Sequence, residues 1–314
     1  MGMKKQIIDF IKNQSIWIIL ILSVSFFGVM TANFLTLRNF QNILLQISIN
    51  GLMAIGMTYV IINGEIDLSI AMIYALCAAL VIGFQPLGIL PSVLIAMATG
   101  IIIGAINGIF VAKAEINSFI VTLAAMIGVR GLLFIYTGER AILGTDLRFT
   151  LLASYRVGGL IPLPAVIFIV FLAIGEYVLR NTSHGRNAYA IGGNKDAAEK
   201  AGIAVKKHII INFMLCGAMA ATAGIIAASR MNTATTTLGT MNHLWVIIAV
   251  VLGGTNLKGG YGNLVRTLGG IFVVGILDNG LNLMGVHTFY NMLFMGIILI
   301  LVIYLGKKLE PVKT

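Results

Sequence analysis

The chain has 314 residues, 59% of them apolar and only 10% charged, with a mean hydropathy of +0.99. An ordinary soluble domain carries roughly 25% charged residues because its surface must face water. A soluble enzyme, a nucleic-acid-binding domain and a disordered chain are thereby excluded. The expected class is all-α, a polytopic integral membrane bundle. A helix crossing the hydrocarbon core needs about 20 mostly apolar residues, so residues 1–314 accommodate about ten spans in a single transmembrane domain.

In chain order, a short basic N-terminus, Met1 to Lys12, leads into an apolar run at Ser15–Ala32. No small-residue cleavage site follows, so this run is read as a retained helix. Further runs follow at Asn42–Ile62, Leu68–Phe84, Leu87–Ala112, Ile116–Tyr136, Leu160–Val178 and His208–Ala228. The last three are His243–Gly254, Leu264–Gly285 and Thr288–Leu305. The eighth is too short for a straight crossing, and is expected to extend upstream or to be half of a broken helix.

The net charge of +10 is explained by membrane topology rather than by nucleic acid. With the N-terminus inside, ten spans place every lysine inside, from Lys4 to Lys313, together with Arg180 and Arg186. Outside fall Arg38, Arg140, Arg148, Arg156 and Arg230, while Arg130 and Arg266 lie in or at the edge of spans. An odd span count would put Lys307, Lys308 and Lys313 on the wrong side, so the positive-inside rule favours an even count and a C-terminus inside. Val60–Gly64 and Val250–Gly254 each end a run in a glycine-containing break, and Asn107-Gly108 is echoed by Asn279-Gly280. These matches suggest an inverted repeat of spans two to five on spans seven to ten, the plan on which transporters build a central pathway.

The longest hydrophilic segment, about residues 181–207, is expected inside. Within it, Asn194 to Gly202 reads as a short capped helix. Asn194 can serve as N-cap, Asp196 suits the positive first turn, and Gly202 suits the left-handed position past the end. A helix this short needs a surface to dock on. That surface is either the rest of the protein or a partner.

Gly185-Arg186, the run Tyr189 to Asn194, Ala197-Ala198 and Gly202-Ile203 resemble the cytoplasmic loop of the ribose/galactose/xylose-type permease subunits of bacterial ABC importers. Further matches occur in order at Gly56-Met57-Thr58, Ile66–Ser69, Leu215–Gly217, Ala223–Ile225, Ala249–Thr255, Gly259-Gly260 and Asn279–Asn282. The resemblance implies a multi-pass protein of the bacterial cytoplasmic membrane with both termini cytoplasmic. It also implies cytoplasmic ATP-binding subunits, an external solute-binding protein, and a second permease copy or paralogue. The solute it implies is small and polar, most simply a monosaccharide. It assigns ATPase coupling to Arg186, Asn194, Asp196, Ala197, Ala198 and Gly202. Two departures stand out. Glu65 replaces the usual glycine before Ile-Asp-Leu-Ser, and His243 to Ile248 lack the family's two carboxylates.

Candidate pathway residues are Asn50, Glu65, Asp67, Ser69, Asn279 and Asn282. Ionisable and polar groups inside a membrane are costly and so invite a functional role. Asp67, with Ser69 beside it, is expected to cap the third helix or to line the pathway. Asp278, Asn279 and Asn282 form a polar stripe that must face protein or water. Arg130 is expected to pair with a carboxylate or with backbone carbonyls. The four histidines show no metal spacing, and Cys77 and Cys216 lie in apolar runs, so neither metal nor disulfide is expected. Gly253 to Gly259 lacks the spacing and hydroxyl of a phosphate-binding loop, so no ATP site, catalytic residue or cofactor is expected in this chain. Two alternatives share the architecture: an importer permease for nucleosides or amino acids, and a proton-coupled secondary transporter using Glu65, Asp67 or Asp278.

Overall fold

A chain with so little polar surface must satisfy its backbone internally, and a helix does so within one segment. In the computed structural model, helices follow one another with little else. It describes residues 2–309, with side chains from residue 16 to residue 301 apart from 288 and 299. The helices are α1 (Gly2–Met30), α2 (Leu37–Ile62), α3 (Ile70–Gly83), α4 (Ile89–Ala112), α5 (Ser118–Thr137), α6 (Leu151–Ser154), α7 (Leu163–Asn181), α8 (Ser183–Gly193), α9 (Lys195–Lys200), α10 (Val205–Met231), α11 (Asn242–Leu252), α12 (Leu264–Leu283) and α13 (Thr288–Leu309). Two-residue strands β1 (Ile142–Leu143), β2 (Arg156–Val157), β3 (Ile161–Pro162) and β4 (Thr233–Ala234) pair antiparallel, β1 with β4 and β2 with β3. Lys313 and Thr314 lie outside the described residues.

Each expected apolar run falls on a helix. Among the described residues six helices, α2, α4, α5, α7, α10 and α12, are long and apolar enough to cross a membrane. Shorter apolar stretches come from α3, α11, Ile16–Met30 of α1 and Phe289–Ile298 of α13. The eleven residues of α11 reach only about 16 Å. Thr235 to Met241 upstream is turn, so this run does not extend as a helix.

The bundle is built around α2. Of its most apolar window 89% is buried, against 22% for α4 and α5, whose outer faces carry Ile102, Phe119, Ile127 and Ile135 in the open. Small residues let the central helices meet backbone to backbone. A Cβ on Gly56 of α2 would stand 2.7 Å from Cys216 Cα of α10. Gly100, Gly104 and Gly108 form one stripe of α4, at a four-residue spacing that keeps one helix face. The stripe lies on Gly217, Phe213 and Ile210 of α10, running antiparallel.

At one end, residues 139–162 form a cap. Gln85 Oε1 accepts the Thr145 and Asp146 N–H groups at 2.7 and 3.0 Å, and its amide donates to Asn232 at 3.1 Å. Ser229 Oγ donates to Phe149 O at 2.6 Å. Arg148 pairs with Asp146 and holds that carboxyl below its usual range. At the other end lie α8, α9 and two breaks, 63–69 and 253–263.

Two expectations are corrected. The Val60–Gly64 and Val250–Gly254 breaks are not related by inversion. They sit at the same end, where the Gly260 N–H donates to Ile62 O at 2.8 Å. They do share one hydrogen-bond pattern, Glu65 N–H to Val60 O and Thr255 N–H to Val250 O, with Gly64 at φ +85° and Gly254 at φ +90°. Among the described residues, Arg130 has neither a carboxylate nor a carbonyl partner. It is exposed on α5 with its guanidinium 5.2 Å from the Phe134 ring, a cation–π contact.

Candidate coupling and pathway site

Asn194 is the pivot of the α8–α9 segment. Its backbone N–H closes α8 on Ala190 O at 3.1 Å, and its Oδ1 opens α9 by accepting the Ala197 N–H at 2.9 Å. The six-residue α9 ends as the sequence led one to expect. Gly202 sits at φ +82°, its N–H donates to Glu199 O at 2.9 Å, and the Ile203 N–H donates to Ala198 O at 3.1 Å. Asp196 in the first turn and Lys200 in the last oppose the helix dipole. Lys195, Asp196, Ala197, Glu199 and Lys200 are exposed, as is Arg186 on α8. Ala198 alone of α9 is buried, and it packs into the chain's own core. In this chain it holds α9 against the bundle.

The whole of α8 was legible only as polar loop, and its ties explain why it is a helix. Tyr189 Oη donates to Gly262 O at 2.7 Å, and Gly185, Ala188 and Ile191 are buried. His184 and His208, read as scattered residues, form a pair. Asn187 Nδ2 donates to His208 Nε2 at 3.0 Å, which leaves the His208 proton on Nδ1. That proton is donated to His184 Nδ1 at 2.8 Å, and His184 Nε2 donates to Asn212 Oδ1 at 2.8 Å. One tautomer set satisfies all three bonds. The chain of bonds ties α8 to α10.

Break 63–69 carries three of the predicted pathway residues. Asp67 is fully buried beside Cys216, near the midpoint of α10. Its Oδ1 accepts the Ser69 N–H at 2.9 Å and the Ser69 Oγ–H at 2.6 Å, so it caps the entry to α3. Asn107 of α4, which the sequence marked only as a repeat element, completes the cluster by donating to Ser69 Oγ at 2.8 Å. Glu65 is half-buried at the surface of the break. Burial raises its carboxyl above the ordinary range, against a Ser118 hydrogen bond and the Lys195 charge, which lower it.

The other candidates lie elsewhere. Asn50 Oδ1 accepts from Asn242 of α11 at 3.0 Å. Asn279 makes a reciprocal pair with Asn39 of α2, both bonds 2.9 Å. Asp278 is bonded by Gln46 of α2, by Asn291 of α13 at 2.5 Å and by Asn282 at 3.4 Å. The polar stripe of α12 therefore turns its Asp278–Asn279 side to its own bundle, while Asn282 is exposed. The structure brings Asp67 and Ser69 together and leaves Asn50 and the α12 stripe apart from them.

The family described as branched-chain amino acid transport system / permease component matches residues 39–303. The chain belongs to this family. The permease is 40% identical over 298 residues to the ribose import permease protein of Escherichia coli strain K12, covering 93% of the permease and 92% of that protein. The corresponding ribose import permease protein of Bacillus subtilis strain 168 is 41% identical over 295 residues, covering 92% and 90%. The L-arabinose transport system permease protein of Escherichia coli strain K12 is 35% identical over 290 residues, covering 91% and 88%. No solved structure matches the permease. It is a multi-pass importer permease subunit.

Proposed function

We propose that the permease is the membrane subunit of an ATP-driven importer that moves a monosaccharide inward. ATP would be hydrolysed on separate subunits, and an external binding protein would deliver the solute. The observation that carries the sugar assignment is the identity of 35–41%, over nine-tenths of the chain, to proteins named for ribose and arabinose. The exposed face of α9 leaves room for an ATPase contact, because its caps and the buried Ala198 hold the helix in place while Lys195, Asp196, Ala197, Glu199 and Lys200 stay free to meet a partner. The family description favours a second solute class, branched-chain amino acids.

The path would form between two copies, or a paralogue pair, in a bilayer crossed by about ten spans. Helix lengths support the inverted repeat. α2 to α5 have 26, 14, 24 and 20 residues, and α10 to α13 have 27, 11, 20 and 22. Each series is long, short, long, long, and each short helix follows an irregular segment. Asn282, exposed, and Asn50, half-buried, keep a pathway role in this reading, offering a passing hydroxyl a weak hydrogen bond. Asp67 and Ser69 bond each other and Asn279 bonds Asn39 inside the chain, so these three would serve the wall rather than the solute.

Labelled ribose, arabinose and leucine supplied to cells expressing the complete transporter decide the solute. Saturable uptake of a pentose that survives a protonophore and is lost with the ATPase is the expected result. Uptake of leucine alone would replace the sugar, and uptake abolished by the protonophore would replace ATP. For topology, Ser183→Cys is expected to be labelled by an impermeant thiol reagent in inside-out vesicles and not in intact cells.

A further inference from the structure

Five glycines from three separate stretches of chain meet at the α8 end of the bundle. A Cβ on Gly259 would lie 2.8 Å from Gly64 Cα and 2.9 Å from Gly192 Cα. One on Gly260 would lie 2.9 Å from Gly193 Cα. One on Gly192 would collide with Ile62 O and Gly260 N. Gly64, Gly259 and Gly260 all have positive φ, of +85°, +85° and +73°, which side chains rarely adopt. The Gly260 N–H to Ile62 O bond of 2.8 Å fastens break 253–263 to the end of α2, and Tyr189 Oη on Gly262 O fastens α8 to the same break.

The elements joined here have different neighbours. α8 continues through the single residue Asn194 into α9, the helix with the exposed face. Gly64 closes α2, the central helix, and leads through break 63–69 to Asp67 and α3. Gly259 and Gly260 lie between α11 and α12. Side chains hop between rotamers and can absorb a small displacement, but backbone in van der Waals contact with backbone cannot. We propose that this glycine joint passes the movement of α8–α9 to the inner ends of α2 and of α11 and α12, and so sets how much solute moves per ATP. The proposal rests on the reading of α9 as the ATPase contact.

The test uses the whole transporter, purified with the ATPase subunit that accompanies it and reconstituted in liposomes with its binding protein. ATP hydrolysis and labelled solute uptake are measured on the same vesicles. Gly192→Ala and Gly259→Ala are expected to keep the ATPase bound and hydrolysing, while solute moved per ATP falls at least tenfold. Tyr189→Phe, which removes one bond without crowding, is expected to lower the ratio two- to fivefold, and it keeps the test open if both alanine variants fail to insert. Gly104→Ala crowds backbone between α4 and α10, away from the joint. It is expected to lower the amount of folded protein and leave the ratio unchanged in what remains. A wild-type ratio in Tyr189→Phe and in whichever alanine variants insert overturns the joint alone, as does an equal fall in Gly104→Ala. Failure of the unaltered permease to hold any ATPase overturns the coupling reading beneath it.

Discussion

Asp67→Ala is expected to deplete the folded permease from the membrane, whereas Asp67→Asn is expected to keep most of it. The Asp67 Oδ1 receives two donors from Ser69, its N–H and its hydroxyl, and all three groups are buried. Alanine leaves both donors without an acceptor where no water reaches them. At about 1–3 kcal/mol for each of the two unsatisfied buried groups, the loss is roughly 2–6 kcal/mol, a large part of the stability of most folded chains. Asparagine retains the Oδ1 acceptor in the same place and loses only the charge assistance, about 1 kcal/mol. Membrane abundance and thermal unfolding in detergent measure the difference, and uptake is normalised to folded protein. If asparagine abolishes uptake as fully as alanine in protein that is equally abundant, Asp67 has to ionise during transport. The secondary-transporter alternative then gains at the expense of ATP drive.

The second large effect separates two neighbouring alanines. Ala198→Asp places a carboxylate where α9 packs on its own chain, and Ala197→Asp places one on the exposed face. A buried unpaired charge costs several kcal/mol, while a six-residue helix has almost no stability of its own, so α9 is expected to detach rather than bury the charge. Ala198→Asp is therefore expected to open Lys200 to trypsin in inside-out vesicles and to lower uptake more than tenfold. Ala197→Asp is expected to leave the trypsin pattern unchanged and to lower co-purification of the ATPase. Normal ATPase retention and uptake in Ala197→Asp would remove the outer face of α9 from the contact.

The parts of the fold that were legible are those whose cause is local. A run of about 20 apolar residues is its own signal, so all ten runs fall on helices. The α9 helix was legible for the same reason, because Asn194, Asp196 and Gly202 act within one or two turns. The α8 helix was not. Ser183–Gly193 has two glycines at its end and no apolar period, and it is held by Gly262, Ile62 and His208, distant in sequence. Facing was also hidden: one helical step separates buried Ala198 from exposed Ala197, and nothing in an Ala-Ala pair says which turns inward. The match between Val60–Gly64 and Val250–Gly254 was real in local conformation but wrong in symmetry, because a shared helix-end motif carries no information about which end of the bundle it occupies. At the candidate site, Asp67 with Ser69 could be read as a cap, but the contribution of Asn107 and the His184–His208 bond could not.

The enclosure of α2 has a consequence for how the protein is made. Three of the helices packed on it, α10, α11 and α12, leave the ribosome more than 140 residues after Ile62. At ~5–20 residues per second, that is a delay of roughly 10–30 s. During it, Asn39, Gln46, Asn50 and Thr58 have none of the partners they finally take from Asn279, Asp278, Asn242 and Thr267. The second helix to be inserted thus waits for helices of the C-terminal half to complete its surroundings. Newly made chains lacking their C-terminal half leave those four polar groups facing lipid or the insertion machinery, a ready mark by which a membrane quality-control protease can tell an unfinished permease from a finished one.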